Sequence, residues 1–343
     1  MEQKPSAAAH SVRHTNHIPV AAHSVRHTNH IPVAAHSVRH GGRFRWRTLC
    51  AATCCSLFFT VLLCSILSIR AITLSQTLQY EAERWQGPSE QTYSQVSVFW
   101  NDGEMDAGQA KTLAEELRAS FPTEEIPPFV TAWGAKSSGL AVYAHRRAEA
   151  ELWSVSRDFF TLHAFSMAEG GPGTFADTGS EAVLNEAAAF ALFGSSDCIG
   201  EDIQLDGLGW RVIAVVKEPD GAANEAAFGA APRIFLPIAD GDPVTFYEAI
   251  LPEYYAGYAA QSLQNATGQV VTCSTGRFRL TRLWEQVKDF FRTPPEQTPS
   301  LPPWEQAARL AERKLCARWC VLVFASALLL WSLFRCYDLF FHR

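Results

Sequence analysis

The sequence predicts an extracytoplasmic α+β domain flanked by two transmembrane helices. Two uncharged apolar runs, Thr48 to Ile69 and Trp319 to Phe334, lie near the two ends of the 343 residues. Charge is segregated: residues 1–47 carry a net +6, residues 309–343 a net +4, and residues 48–308 a net −16. Between the apolar runs, segments of period-2 apolar pattern alternate with segments of helical period, divided by glycine, proline and Asp-Gly turns. The acidic middle argues against a nucleic-acid binder, which needs a basic face, and fits a solvated domain outside a membrane.

Residues 1–47 are expected to be a disordered cytoplasmic tail. A 13-residue unit runs from Ala8 to Val20, repeats identically from Ala21 to Val33 and restarts at Ala34. The period is too short for helical solenoid units, and each copy has a proline and few large apolar residues. His10, His14 and His17, repeated as His23, His27 and His30, have helical ligand spacing. Pro19 and Pro32 break any long helix, however, and no Cys or carboxylate completes a site. The tract is read as a flexible tail that binds metal only adventitiously, with Zn²⁺ or Ni²⁺ held on a helical histidine face as the alternative.

Residues 48–70 are the first span. Twenty-two helical residues cover roughly 33 Å, enough for a hydrocarbon core of about 30 Å. Arg43, Arg45 and Arg47 set its N-terminus inside. Arg70, and the failure of small residues to fill both cleavage-determining positions before Ala71, argue against a cleaved signal peptide. Residues 71–92 read as a polar helical stalk that stops near Gly87-Pro88.

Residues 93–292 form the domain. Gln95 to Trp100 is a strand. Asp106 caps a helix over Ala107 to Ser120. Phe129–Trp133, Leu140–Ala144 and Ala150–Val155 are strands, with Gly134 and Gly139 in turns. A glycine turn follows at Gly170-Gly171-Pro172-Gly173. Glu181–Asn185 is a strand ending on a helix cap, Glu186–Phe193 a helix closed by Gly194. Ile203 and Leu205 pair with Trp210–Val216 across Asp206-Gly207. Phe246–Ile250 is a strand, Tyr254–Asn265 a helix with three tyrosines, Gln269–Cys273 a strand and Leu280–Phe291 a helix.

Residues 293–314 combine a proline-rich linker with an amphipathic helix from Trp304 to Lys314. Residues 315–341 hold the second span. Its uncharged part, sixteen residues, covers roughly 24 Å and is extended by snorkelling of Arg318 and Arg335. Arg313, Lys314 and Arg318 place positive charge outside, so charge fixes the N-terminal side and not the C-terminal one. Ala51, Ser56 and Ser65 on the first span, and Ala325, Ser326 and Ala327 on the second, make small-residue faces suited to partner helices.

Chemistry-bearing motifs are sparse. There is no G-x-x-x-x-G-K-[ST] phosphate loop, no H-E-x-x-H and no G-x-S-x-G. No catalytic, cofactor-binding or metal residues are assigned. His145 and His163 have no Cys or His at ligand spacing and read as packed or surface histidines. Glu115-Glu116 and Glu124-Glu125 read as solvated pairs. Seven of the nine cysteines lie in or beside the apolar runs, as small hydrophobes. Cys198 and Cys273 fall in the domain and either form one disulfide or remain two free buried thiols.

The ordered set Val155-Ser156-Arg157-Asp158-Phe159-Phe160, Ala182-Val183-Leu184-Asn185-Glu186, Leu192-Phe193-Gly194, Ile199-Gly200, Val212-Ile213-Ala214-Val215-Val216 and Ile234-Phe235-Leu236-Pro237 resembles the MacB-like periplasmic core domain of FtsX/MacB-type ABC-transporter permeases. The resemblance runs from Leu152 to Pro237 and departs at Gly170-Gly171, where such domains often carry Gly-Arg. It implies a two-lobed domain whose first and last parts pair into a membrane-proximal lobe. It also implies an ABC ATPase partner, a multi-span FtsX-like permease partner, oligomerisation in the lipid bilayer, and no cofactor. The family normally places three further spans after the domain; here one span follows before Arg343. The implied function is a permease-like subunit that contacts substrate or partner and transmits ATPase-driven motion. The alternative is a membrane-anchored binding or sensor protein; an enzyme ranks last, lacking a nucleophile–base set.

Overall fold

The computed structural model describes residues 38–88, 90–100, 104–121, 129–171, 179–290 and 301–341. The tandem repeats up to residue 37, the Glu124-Glu125 pair and most of the proline-rich linker lie outside them. Residues Ala51–Arg343 form one unit; of Met1–Cys50 the described part is the start of a helix.

That helix, α1 (Val38–Leu74), contains the first apolar run without a break. The stalk expected after it is instead packed on the domain. A single 3₁₀ turn, Thr77–Gln79, and α2 (Glu81–Gln86) bury Leu78, Gln79, Glu81 and Ala82. The chain then builds β1 (Tyr93–Phe99), α3 (Ala107–Ala119), β2 (Val130–Tyr143), β3 (Arg146–Val155), α4 (Phe159–Leu162), β4 (Ser166–Gly170) and β5 (Glu181–Asn185). It continues with α5 (Glu186–Leu192), β6 (Asp202–Leu205), β7 (Leu208–Lys217), α6 (Ala222–Phe228), β8 (Arg233–Pro237) and β9 (Phe246–Pro252). The series ends with α7 (Tyr258–Thr267), β10 (Thr272–Cys273), α8 (Leu280–Phe290) and α9 (Pro303–Phe341).

Local signals are met where side chains cap or turns demand a sign of φ. Asp106 and Gln109 form a reciprocal capping box on α3, with Gln109 N to Asp106 Oδ1 at 2.8 Å and Asp106 N to Gln109 Oε1 at 2.9 Å. The Asn185 side chain accepts from Ala188 N at 2.9 Å at the start of α5. Asp206 and Gly207 both have positive φ, +50° and +85°, the two-residue turn that matches strand twist.

Gly134 and Gly139 are not turn residues. Both lie inside β2, which runs as one fourteen-residue strand beside β3. A Cβ at 134 would come within 2.4 Å of Ser154 O and 2.9 Å of the Phe246 ring; one at 139 would meet Leu152 Cδ1 at 2.7 Å. Glycine serves close approach here. Gly134→Ala is expected to destabilise the domain by about 1–3 kcal/mol, because a backbone oxygen cannot step aside as a side chain can. Thermal unfolding of the detergent-solubilised chain checks this, and an unchanged midpoint would contradict it.

One mixed sheet has the order β10-β1-β9-β2-β3-β8-β5-β7-β4. β6 pairs with both β2 and β7, so β2-β3-β8-β5-β7-β6 closes into a ring. Inside it lie Leu152, Leu184, Ile203, Val212 and Ile234, with Leu192 of α5. A second cluster joins β1 and β9 to α3 and α7 through Val96, Val98, Leu113, Leu117, Tyr247 and Leu263. The first and last parts of the domain do pair, as the family resemblance implies. The cluster reached by the span helices draws on all parts, however: Leu78, Trp153, Phe159, Phe235, Phe246 and Trp304.

The second span is not separated from the amphipathic segment before it. α9 is one helix of 39 residues. Both α1 and α9 are long and apolar enough to cross a membrane. They meet where Cys55 Sγ lies 3.2 Å from Ser332 Oγ and 4.0 Å from Cys336 Sγ. Ser65 and Ala325 are buried, Ser56 and Ala327 exposed, so only part of each small-residue face is open to further helices.

Candidate functional site

The helices that continue the two spans enter the domain at one joint. The first turns of α9 bury Trp304, Ala307, Ala308, Ala311 and Leu315 against α6 and the sheet, and carry Glu305 and Glu312 into the same interface. Burying carboxylates is costly unless they are paired and hydrogen-bonded. The partner is Arg277, which sits between β10 and α8 and is 5% exposed. Its Nη1 and Nη2 donate to Glu305 Oε2 and Oε1 at 2.7 and 3.1 Å, a bidentate fork. Its Nε donates to Glu312 Oε1 at 2.7 Å, and Nη1 also donates to Gln79 Oε1 at 2.8 Å. Arg309 Nε completes the cluster on Glu305 at 2.8 Å.

Arg277 thus joins the base of α9 to the turn that follows α1. Burial alone would lower the Arg277 guanidinium, but Glu305 and Glu312 raise it above its ordinary value. Burial alone would raise the Glu305 carboxyl, and Arg277 and Arg309 hold it below the ordinary range. The set is two-sided, so each charge depends on the others.

A second anchor lies deeper. Trp304 Nε1 donates to Glu248 Oε1 on β9 at 2.7 Å. The indole ring packs on Trp153, Phe159, His163 and Phe246 with centroid separations of 4.9–5.4 Å. His163, fully buried, has Nε2 2.9 Å from Glu248 Oε2, close enough to interact but without hydrogen-bond alignment. Around these, α6 and α2 tie the α1 side to the sheet. Asn224 Nδ2 donates to Ser75 O at 2.8 Å, and Gln76 Nε2 to Asn224 Oδ1 at 3.2 Å. Glu81 Oε1 accepts from Ala164 N at 2.8 Å and pairs with Arg84, which donates to Thr161 O. Lys314 Nζ donates to Ala222 O at 2.8 Å.

The sequence-predicted residues fall elsewhere. Cys198 and Cys273 are both free. Cys198 is buried in the cluster inside the strand ring, and burial first, then nearby acidic groups, pushes its thiol up to about 11. Cys273 lies on edge strand β10 and packs against the cluster built on β1 and β9. The two thiols pack in different clusters. His145 is exposed in the β2–β3 turn, and His163 is the packed histidine. Glu115 and Glu116 are exposed. Tyr254 and Tyr255 are exposed beside half-buried Tyr258, next to an open groove of about 480 Å³ between α3 and α7. Among the described residues no group of three or more His, Cys, Asp or Glu is placed to hold a metal ion.

Sequence reasoning missed Arg277, Glu305, Glu312 and Gln79. One signal was present. Glu305 and Glu312, seven apart, share the helical face of Ala308 and Leu315, so two acids stand within an apolar stripe.

The family model for the MacB-like periplasmic core domain matches residues 62–272, from within α1 to β10. No curated protein matches. Among solved structures, the periplasmic region of MacB from Actinobacillus actinomycetemcomitans is similar at 14% identity, covering 59% of this chain and 94% of that one, with a TM-score of 0.41. The extracellular domain of the noncanonic ABC-type transporter YknZ from Gram-positive bacteria is similar at 14% identity, covering 53% and 99%, with a TM-score of 0.36. On the family-model match over residues 62–272, the chain belongs to the family of the MacB-like periplasmic core domain.

Proposed function

We propose that the chain is a two-pass, permease-like subunit of an ABC transporter, with Met1–Arg47 cytoplasmic and the central domain extracytoplasmic. Its domain contacts a substrate or partner protein, and its spans pass on motion driven by a separate ABC ATPase. A multi-span FtsX-like permease is a further expected partner. One observation carries this reading: α9 and the turn that follows α1 are fastened to the same domain residue, Arg277, through one buried charged cluster. Motion of either span is therefore delivered to the domain as a whole.

Two measurements test it. A membrane-impermeant maleimide added outside is expected to label Val270→Cys, which is 86% exposed, and not Ser6→Cys; the opposite pattern would sink the topology. Affinity purification of the chain in gentle detergent, after crosslinking at native expression, is expected to recover an ATPase subunit or a multi-span permease. Recovery of the chain alone would leave a membrane-anchored binding or sensor protein in its place.

A further inference from the structure

We infer that α8 is a membrane-surface helix: its exposed face lies in the outer leaflet's headgroup region, beside the point where α9 enters the bilayer. The inference rests on the reading of α9 as a span. The sequence of α8, with Leu280, Leu283, Trp284, Val287 and Phe290 at intervals of three and four, is strongly amphipathic. Among the stripe residues whose burial is described, one is buried and two are open. Leu283 is 1% exposed, whereas Leu280 is 50% and Trp284 59% exposed.

Position decides what covers the rest. Cys316 Sγ on α9 donates to Leu283 O at 3.6 Å, which fixes α8 against α9 at residue 316. The uncharged part of α9 begins three residues later, at Trp319. At about 1.5 Å per residue, α8 therefore sits roughly 5 Å above the start of the apolar segment, the depth of an interfacial helix. Tryptophan at that level is the usual interfacial anchor. Charge points the same way. In a middle region of net −16, residues 279–292 carry four basic side chains against two acidic ones. Arg279 and Arg282 are exposed on either side of Leu280. A local basic-apolar surface on an acidic domain matches an anionic lipid surface.

The test uses the full chain, with its native cysteines replaced, reconstituted into phosphatidylcholine–phosphatidylglycerol vesicles. An environment-sensitive fluorophore is placed in turn at Trp284→Cys, Phe324→Cys and Val270→Cys. Phe324 is an exposed span residue, 68%, and reports whether α9 is in lipid. The label at 284 is expected to emit blue-shifted light and to lose about half its intensity to doxyl-lipid quenchers, as at 324 and unlike 270. Arg279→Glu with Arg282→Glu is expected to reduce that quenching in phosphatidylglycerol vesicles and not in pure phosphatidylcholine. Water-like emission at 284 with quenching intact at 324 overturns the surface helix and leaves the span standing. A blue shift at 284 without lipid quenching means that protein, such as a second copy, covers the face, and also overturns it. No quenching at 324 overturns the spanning reading itself. A quenching at 284 that ignores headgroup charge overturns the electrostatic half of the inference.

Discussion

Arg277→Met will destabilise the domain by about 3–5 kcal/mol, the cost of leaving buried carboxylates without their counter-charge. Methionine keeps the stem volume, so the loss reports charge and hydrogen bonds. Four bonds go at once: two to Glu305, one to Glu312 and one to Gln79. Chemical denaturation of the detergent-solubilised chain, followed by near-UV circular dichroism, measures it. Adding Glu305→Gln and Glu312→Gln to Arg277→Met is expected to recover part of the loss, because the orphaned charges are then gone. If the triple variant is no better than the single, the cost is not electrostatic.

The same cluster sets a pH dependence. Glu305 has a folded value held below its ordinary 4.5. Its pairing therefore adds stability above that value, which is lost as pH falls through the depressed folded one. Arg277 has a folded value raised above its ordinary one, so its contribution is complete below the ordinary guanidinium range. The joint is expected to contribute evenly from about pH 5 to 10 and to weaken in acid. Glu305→Gln should flatten the acid limb; an unchanged limb would assign it to other groups.

Trp304→Ala is expected to cost about 3–5 kcal/mol through lost apolar burial and the cavity left behind. The true loss should lie at the top of that range, since truncation also removes the indole donor from Glu248, which is buried beside His163. Trp304→Phe keeps most of the ring contacts and loses only the donor, so it should cost roughly 1–3 kcal/mol. A thermal-unfolding series of the three proteins separates the two contributions. Equal losses for alanine and phenylalanine would place the whole effect in the Glu248 bond.

How much of this was legible follows from what kind of signal each part leaves. Asp106, Asn185 and Asp206-Gly207 act within a few residues, and sequence shows them directly. Gly134 and Gly139 have the same composition as turn glycines. What distinguishes them is Ser154 and Phe246, or Leu152, on neighbouring strands, which no local pattern contains. The burial of the segment after α1 was hidden for a related reason. Residues 75–92 look polar because Gln76, Gln79 and Glu81 are polar, yet each has a buried partner far along the chain. The joint has the same character: Arg277 and Gln79 are 198 residues apart in sequence and meet only when the sheet forms.

The length of α9 has a mechanical consequence. From the middle of its apolar segment to Trp304 is about 22 residues, an arm of roughly 33 Å. Nothing in the helix breaks that arm: among its 39 residues the only proline is the first, and there is no glycine. A tilt of about 10° at the bilayer midplane would carry Trp304 sideways by about 6 Å, comparable to one helical turn. On the proposed reading the helix would serve as a lever, turning a small angular change at the midplane into a displacement of that size at the domain.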